Sequence, residues 1–373
     1  MYATALEKLG VRVSRLGFGA MRLPTGADQR IDRDEAVKML QYAYDHGVNY
    51  FDTAYGYHDG ESEVVLGQAI KKWSRSSFYL ADKLPLWLVS SVDDVQRLFD
   101  EQLRRTGAGH FDFYLLHAVS KERWDKLWEL GVLREVERLR EQGKIRFIGF
   151  SYHDKAEYLA EILDAYAWDF AQIQINYVDD ILLESGSMYR MLTERGIPCI
   201  AMEPVRGGGL AKLPGAGADI LKKASESCSP AGWALRWCLD HENMRVILSG
   251  MSTMEQVKQN VALFRSAAPM AASDLALLGQ VRDAYLALNT IPCTGCGYCR
   301  GCDFGVSIQE TFRIHSVYQM FGSAEWAKFD YKSMGAEHTP NNCTGCGACV
   351  ALCPQHIDIP ARLAEVHGAL SAL

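Results

Sequence analysis

What the chain lacks narrows its class first. Its 373 residues contain no run of eighteen apolar residues, so no membrane-spanning helix is expected. The opening stretch, MYATALEKLGVRVSRLG, has no apolar core of a secretory leader. A basic excess is also missing. The 39 Lys and Arg stand against 46 Asp and Glu, a formal charge of −7, which disfavours a nucleic-acid partner. There is no low-complexity segment and, beyond two cysteine motifs, no internal repeat. The segment GFGAMR at Gly17–Arg22 lacks the G-x-G-x-x-G spacing. An open doubly wound sheet would want that fingerprint after its first strand.

What is present is ordinary in bulk. Hydrophobic residues make up 48% and charged residues 23%, as in soluble globular proteins, and the length suits two domains, one of them large. The 11 cysteines are not ordinary, because eight fall in two tight clusters. Without a leader, dense cysteine points to metal rather than disulfides, and the expected compartment is the cytoplasm. Cys199, Cys228 and Cys238 sit in apolar or helical surroundings and are expected to be inert core residues.

From Leu16 to about Phe264 short apolar runs alternate with amphipathic stretches. Candidate strands are Arg15–Met21, Tyr50–Ala54, Phe78–Leu84, Phe111–His117, Ile145–Ser151, Phe170–Asn176, Pro198–Pro204 and Arg245–Met251. Runs of this kind suit strands buried on both faces. Asp34–His46, Glu61–Trp73, Val92–Arg105 and Leu133–Gln142 read as helices, and several stretches stop at a glycine: Gly47, Gly107, Gly143 and Gly196. Glycine is favoured just past a helix end, where a left-handed conformation is needed. Eight strand–helix units predict an α/β fold, a (β/α)8 TIM barrel over residues 1–272. Ser266–Ala272 reads as a linker and Asp274–Leu288 as a helix. Residues 273–373 then form a small second domain, with a further helix over Ile308–Met320.

Cys343-Thr-Gly-Cys346-Gly-Ala-Cys349-Val-Ala-Leu-Cys353-Pro354 has the spacing C-x2-C-x2-C-x3-C-P. Three thiolates at that spacing wrap a [4Fe–4S] cubane, and the fourth typically reaches a second cluster. The partner motif is Cys293-Thr-Gly-Cys296-Gly-Tyr-Cys299-Arg-Gly-Cys302, where Asp303 replaces the expected proline. The crossed assignment puts Cys293, Cys296, Cys299 and Cys353 on one cluster. Cys343, Cys346, Cys349 and Cys302 then hold the other. Zinc also takes paired C-x2-C units, but triple runs overload its four-ligand pattern. Residues from about Ile291 to Pro360 resemble two-cluster ferredoxins.

The chain resembles the aldo-keto reductases, in particular bacterial members with an appended two-cluster domain. The resemblance covers nearly the whole chain. It is carried by Phe51-Asp52-Thr53-Ala54-Tyr55-Gly56-Tyr57, Ser62-Glu63, Leu66-Gly67, Lys83 within Leu80–Leu84, His117 closing Tyr114–His117, Gly149-Phe150-Ser151, Gln172 and Gly250–Asn260. It implies a catalytic tetrad of Asp52, Tyr57, Lys83 and His117. The candidate strands agree, since Asp52, Lys83 and His117 lie at strand ends and Tyr57 follows the second strand. That end of a barrel carries the chemistry.

The residue types suit carbonyl reduction. A hydride leaves an alkoxide that must be protonated. A tyrosine, with an ordinary pKa of about 10, needs a nearby ammonium to stabilise its phenolate. Lys83, paired with Asp52, fills that role, and His117 orients the carbonyl oxygen.

The resemblance also implies NAD(P)(H), contacted by Ser151, Gln172, Gly250, Ser252, Gln256, Gln259 and Asn260. The match departs from the family where Tyr152 stands for an Asn and Met202 for a stacking tyrosine. No cation follows the last candidate strand, so a 2′-phosphate has no obvious grip. Arg206, in Arg206-Gly207-Gly208-Gly209, could bind a phosphate. The expected activity is interconversion of a small carbonyl and an alcohol, with two [4Fe–4S] clusters exchanging electrons. A redox partner such as a ferredoxin or flavodoxin is expected, and no membrane. The alternatives are an electron-transfer module in which the barrel is a docking scaffold, and a regulatory subunit that senses nicotinamide redox state.

Overall fold

The computed structural model describes residues 3–225, 228–266, 268–288 and 290–373. Two strands open the chain, β1 (Ala3–Leu6) and β2 (Val11–Ser14). Eight more follow: β3 (Leu16–Gly19), β4 (Tyr50–Asp52), β5 (Tyr79–Pro85), β6 (Phe111–Val119), β7 (Ile145–Tyr152), β8 (Phe170–Gln174), β9 (Cys199–Met202) and β10 (Met244–Gly250). Strands β3 to β10 are parallel neighbours in chain order, and β10 pairs with β3 to close the barrel. All eight expected strands are present, offset by a few residues at their ends. The expected helices are present too, as Arg33–Asp45, Glu61–Ile70, Asp93–Thr106 and Val132–Glu141. Gly47, Gly107, Gly143 and Gly196 all have positive φ, as helix-terminating glycines do.

The barrel interior is filled, not hollow. Tyr50, Phe113, Phe170, Val246 and Leu248 form one buried cluster with Leu6, Val11 and Val13 of β1 and β2. The antiparallel pair β1–β2 was not expected. It turns through Gly10, whose φ is +64°, and it inserts three apolar side chains into that cluster. Gly149 shows how tightly the interior packs, since a Cβ there would lie 2.6 Å from the Phe170 ring.

Two compact units divide the chain. The first holds residues 1–204 and 234–270, and the second holds 205–233 and 271–373. The expected split after residue 272 is therefore displaced in one respect, because segment 205–233 groups with the C-terminal part. The helix Gly215–Ala224 is the reason. Its small Gly217 lies close enough to Val281, on the helix Ala272–Leu286, that an added Cβ would be in van der Waals contact at 3.6 Å. The expected linker is short: one helix runs through Ser266 and the next begins at Ala272, while residue 267 lies outside the described residues. In the second unit Ile308, Phe312, Ile314, Ile359, Leu363 and Val366 make a core against which Cys293, Cys299, Cys302, Cys343, Cys349 and Cys353 pack. Among the described residues no helix is long and apolar enough to cross a membrane.

Candidate active site and cysteine cavities

Side chains alternate along β5. Ala81 belongs to the interior cluster, so Lys83, two residues on, also points inward. Lys83 is fully buried. Its Nζ donates to Asp52 Oδ1 at 2.7 Å, to the Thr53 carbonyl at 2.7 Å and to Tyr57 Oη at 3.4 Å. An ammonium has three protons and no acceptor, so these contacts satisfy it. They also require the Tyr57 oxygen to accept, which directs the phenol proton away from Lys83.

Asp52 ends β4, and Tyr57 begins a single turn, Tyr57–Gly60, in which His58 and Asp59 are left-handed. His117 lies on β6 where the register with β7 shifts between Leu116 and Val119. Ala118 there has φ of +56°. A bulge of this kind re-aims a side chain beside a site. The His117 ring meets the Tyr57 ring edge-on, with centroids 6.1 Å apart.

All four residues are within a tenth of full burial. Burial pushes the Asp52 carboxyl up, against the pull of Lys83. Burial, then the charges of Lys83, His153 and Arg123, holds the His117 imidazole well below its ordinary range. His117 is therefore neutral at pH 7 and can donate one hydrogen bond and accept another.

The residues expected to hold a nicotinamide fall into three groups. Ser151 and Gln172 are paired neighbours on β7 and β8. Ser151 Oγ accepts from the Ala118 amide at 2.8 Å and so props the bulge. Gln172 Nε2 donates to Met202 Sδ at 3.3 Å, while its buried Oε1 has no hydrogen-bond partner. Such an acceptor fits the amide NH2 of a nicotinamide. Tyr152, standing for the Asn, is turned aside and donates to the Lys155 carbonyl at 2.6 Å.

The second group lies at the end of β10. The Ser252 amide donates to Gln256 Oε1 at 2.7 Å, and Asn260 Nδ2 donates to Ser249 Oγ at 3.0 Å. Gln259 Nε2 donates to Glu255 at 2.9 Å. A Cβ at Gly250 would lie 3.1 Å from Arg22 Cβ. Arg206 belongs to the second unit, where it is buried and donates to Tyr285 Oη at 3.2 Å.

The second unit brings the cysteines together around two cavities. Cys293, Cys296, Cys299 and Cys353 line one, with Ile308, Phe312 and Ile359. Cys302, Cys343, Cys346 and Cys349 line the other, with Phe304, Val306 and Leu363. Electrostatics divide them in the same way. The Cys299 thiol is pushed up to about 12 by burial and then by Cys296, Cys293 and Cys353. The Cys349 thiol is raised by burial, then by Cys343, Cys302 and Cys346. Four sulfurs around each cavity suit a cubane, whose iron replaces the thiol protons. Among the described residues no three His, Cys, Asp or Glu side chains converge on a single-ion site. Of the other cysteines, Cys199 and Cys238 are fully buried, as expected, whereas Cys228 is only partly buried. It lies just before the helix Pro230–Leu239 rather than in the core.

Residues 15–282 match the description "Aldo/keto reductase family", and residues 292–357 match "4Fe-4S dicluster domain". The chain belongs to the aldo/keto reductase family. It is 28% identical to the NADH-specific methylglyoxal reductase of Escherichia coli over 68% of this chain and 90% of that protein. It is 27% identical to L-galactose dehydrogenase of Arabidopsis thaliana over 69% and 86%. The solved holo form of an aldo-keto reductase from Bacillus halodurans superposes with a TM-score of 0.63 at 25% identity, covering 75% of this chain and 96% of that one. This aldo/keto reductase is thus an enzyme-type oxidoreductase whose barrel precedes a 4Fe-4S dicluster domain.

Three features of this reductase escaped the sequence reading. Trp87 packs on His117, with ring centroids 5.0 Å apart. Arg22 reaches from the end of β3 to Glu203, after β9, at 3.4 Å. Glu203 has φ of +54°, a strained value for a non-glycine residue. Asp82 and Glu63, behind Lys83, are the third feature. Apart from Glu63, quoted in a motif, no sequence signal marked them, since each acts through a partner distant in the chain.

Proposed function

We propose that the barrel interconverts a small carbonyl compound and its alcohol with a nicotinamide cofactor, and that two [4Fe–4S] clusters exchange electrons in the second unit. One observation carries the reading: Lys83 is bonded at once to Asp52 and Tyr57 in a buried site beside a neutral His117. A bound reduced nicotinamide supplies a hydride, and a [4Fe–4S] cluster passes single electrons.

The chain's own residues do the rest. Gln172 Oε1 would accept from the carboxamide of a bound nicotinamide, and Ser151 holds the β6 bulge that aims His117. His117, neutral, donates to the substrate carbonyl oxygen and orients it. Tyr57 gives its proton to that oxygen as negative charge develops. Lys83 stabilises the resulting phenolate, and Asp52 keeps Lys83 in place. In the direction of alcohol oxidation the phenolate takes the proton back. The E. coli relative's name makes a 2-oxoaldehyde such as methylglyoxal the first substrate to test.

For the clusters, the crossed ligation is supported by the cysteines that share each cavity. Cys346 is the exposed cysteine among the eight, so a redox partner, of the ferredoxin or flavodoxin kind, would exchange electrons with the cluster that Cys346 helps hold.

Tyr57→Phe tests the reading, because it deletes a hydroxyl and leaves packing intact. Carbonyl reduction should fall by about 10²–10⁴, the usual contribution of a positioned acid. Iron content should not change. Undiminished reduction by the variant would move the chemistry away from the tetrad. It would favour a barrel that only docks redox partners.

A further inference from the structure

Behind Lys83, on the outer side of β5, lies a buried polar group that the proton-transfer steps above do not use. Asp82 and Glu63 are both fully buried. Asp82 points to the helix layer because its neighbour Lys83 points inward. Glu63 lies in the first turn of the helix Glu61–Ile70. Each carboxyl lies near enough to the other for the two groups to act on one another.

The donors around them account for only half of their oxygens. Asp82 Oδ1 accepts from the Lys83 amide at 2.8 Å and from Gln102 Nε2 at 2.8 Å. Glu63 Oε2 accepts from Arg105 Nη1 at 2.7 Å. Glu63 Oε1 and Asp82 Oδ2 are buried with no hydrogen-bond partner. Two ionised carboxylates in that position would repel with only Arg105 to offset them, which favours a single proton on the pair.

The surroundings decide which residue carries it. Arg105 is shared by Glu63 and Glu101 and lies over the Tyr55 ring, so the local cation faces Glu63. Tyr114 Oη donates to Gln102 Oε1 at 2.6 Å, which locks the Gln102 amide with its NH2 toward Asp82. Asp82 has no comparable cation of its own, because Lys83 is engaged by Asp52 on the inner side of the strand.

From this arrangement we infer that Asp82 and Glu63 share one proton, carried by Asp82, and that this neutral pair is a positioning element for Lys83. Both backbone groups of Lys83 are held here, one by Asp82 and the other by the Gln102 amide bonded to Asp82. The amide donates to Asp82 Oδ1, and the carbonyl accepts from Gln102 Nε2 at 2.9 Å. The Lys83 ammonium must meet three acceptors at once, so a backbone shift of a few tenths of an ångström would loosen its contact with Tyr57. Consistent with this, burial and then the charge of Glu63 raise the Asp82 carboxyl well above its ordinary range. Burial raises Glu63 as well, with Arg105 pulling it back.

The inference about the proton stands by itself, and the positioning role rests on the reductase reading. Infrared difference spectroscopy on the cluster-loaded protein at pH 7 separates the two. Wild type minus Asp82→Asn should show the carbonyl stretch of a protonated carboxylic acid, shifted in heavy water. Wild type minus Glu63→Gln should show the same band. In that variant the new amide donates to Asp82 Oδ2, and the proton is no longer needed. Absence of the band, or its loss in only one variant, would overturn the shared proton.

For the positioning role, Asp82→Ala should lower kcat for methylglyoxal reduction by about tenfold or more with little change in KM, the scale expected of small misplacements. Asp82→Asn, neutral and of the same shape, should restore most of the loss. Should Asp82→Ala fail to fold, Gln102→Leu removes the same hold on Lys83 and should reproduce the kcat effect. Wild-type kcat in both Asp82→Ala and Gln102→Leu would refute the positioning role. A wild-type protein that reduces no carbonyl would sink the reductase reading and leave the infrared result to decide the proton.

Discussion

Lys83→Met replaces the ammonium at the centre of the tetrad with an apolar chain of similar length. Lys83 is fully buried and Asp52 is only 2% exposed, so the variant strands a carboxylate in a dry site. Removing one partner of such a pair costs about 3–5 kcal/mol. The cost depends on pH in a way the structure specifies. Burial already pushes the Asp52 carboxyl up, and Lys83 is the charge that pulls it back. Without Lys83 it rises further, so the folded variant keeps a proton that the unfolded chain, with a carboxyl pKa of about 4, releases. A group whose folded pKa is raised contributes stability that is full below the unfolded pKa. That stability is lost as pH rises through the folded value, by about 1.4 kcal/mol per unit. The deficit relative to wild type should therefore grow from pH 5.5 toward pH 8. Urea unfolding under anaerobic conditions, followed by tryptophan fluorescence, measures it. Asp52→Asn combined with Lys83→Met should recover most of the lost stability at pH 8, because the stranded charge is gone, while carbonyl reduction stays abolished. A deficit that ignores pH, or no recovery in the double variant, would refute the reasoning.

Three more outcomes are expected. Cys353→Ala should damage the cluster that Cys293, Cys296 and Cys299 help hold and spare the one at Cys343, read by electron paramagnetic resonance of the reduced protein; the opposite pattern would mean self-contained motifs. Gly250, Ser252 and Gln256 offer no charge to a 2′-phosphate, and Arg22 is engaged with Glu203, so NADH should bind within about tenfold of NADPH, since one charge-assisted contact is worth roughly 1.5–3 kcal/mol; a hundredfold preference for NADPH on titration would point to Arg22 leaving Glu203. His117, held neutral by burial, should make the barrel less stable as pH falls below about 6.5, by up to about 1.4 kcal/mol per unit, because the unfolded chain takes the proton first; an unfolding series showing the same slope in His117→Gln would remove His117 as the cause.

Much of this protein was legible in the sequence because the signals are local. Eight short apolar runs separated by amphipathic stretches dictate a barrel, since strands buried on both faces need helices between them. The cysteine spacings pointed to the 4Fe-4S dicluster domain that residues 292–357 match, because a cubane demands thiolates at fixed short intervals. The candidate tetrad entered through the family resemblance, with Asp52, Lys83 and His117 on barrel strands and Tyr57 on the turn after β4. Other features were decided only in three dimensions. The pair β1–β2 joins the interior cluster through Leu6, Val11 and Val13, a consequence of barrel shape that four-residue strands do not announce. Segment 205–233 groups with the C-terminal unit because Gly217 packs near Val281, a match between helices far apart in the chain. Arg206, read as a phosphate grip, is buried on Tyr285 for the same reason. Asp82 looked like any strand residue beside a lysine. Only the approach of Glu63, with one Arg105 between two glutamates, leaves two buried carboxyl oxygens without a hydrogen-bond partner.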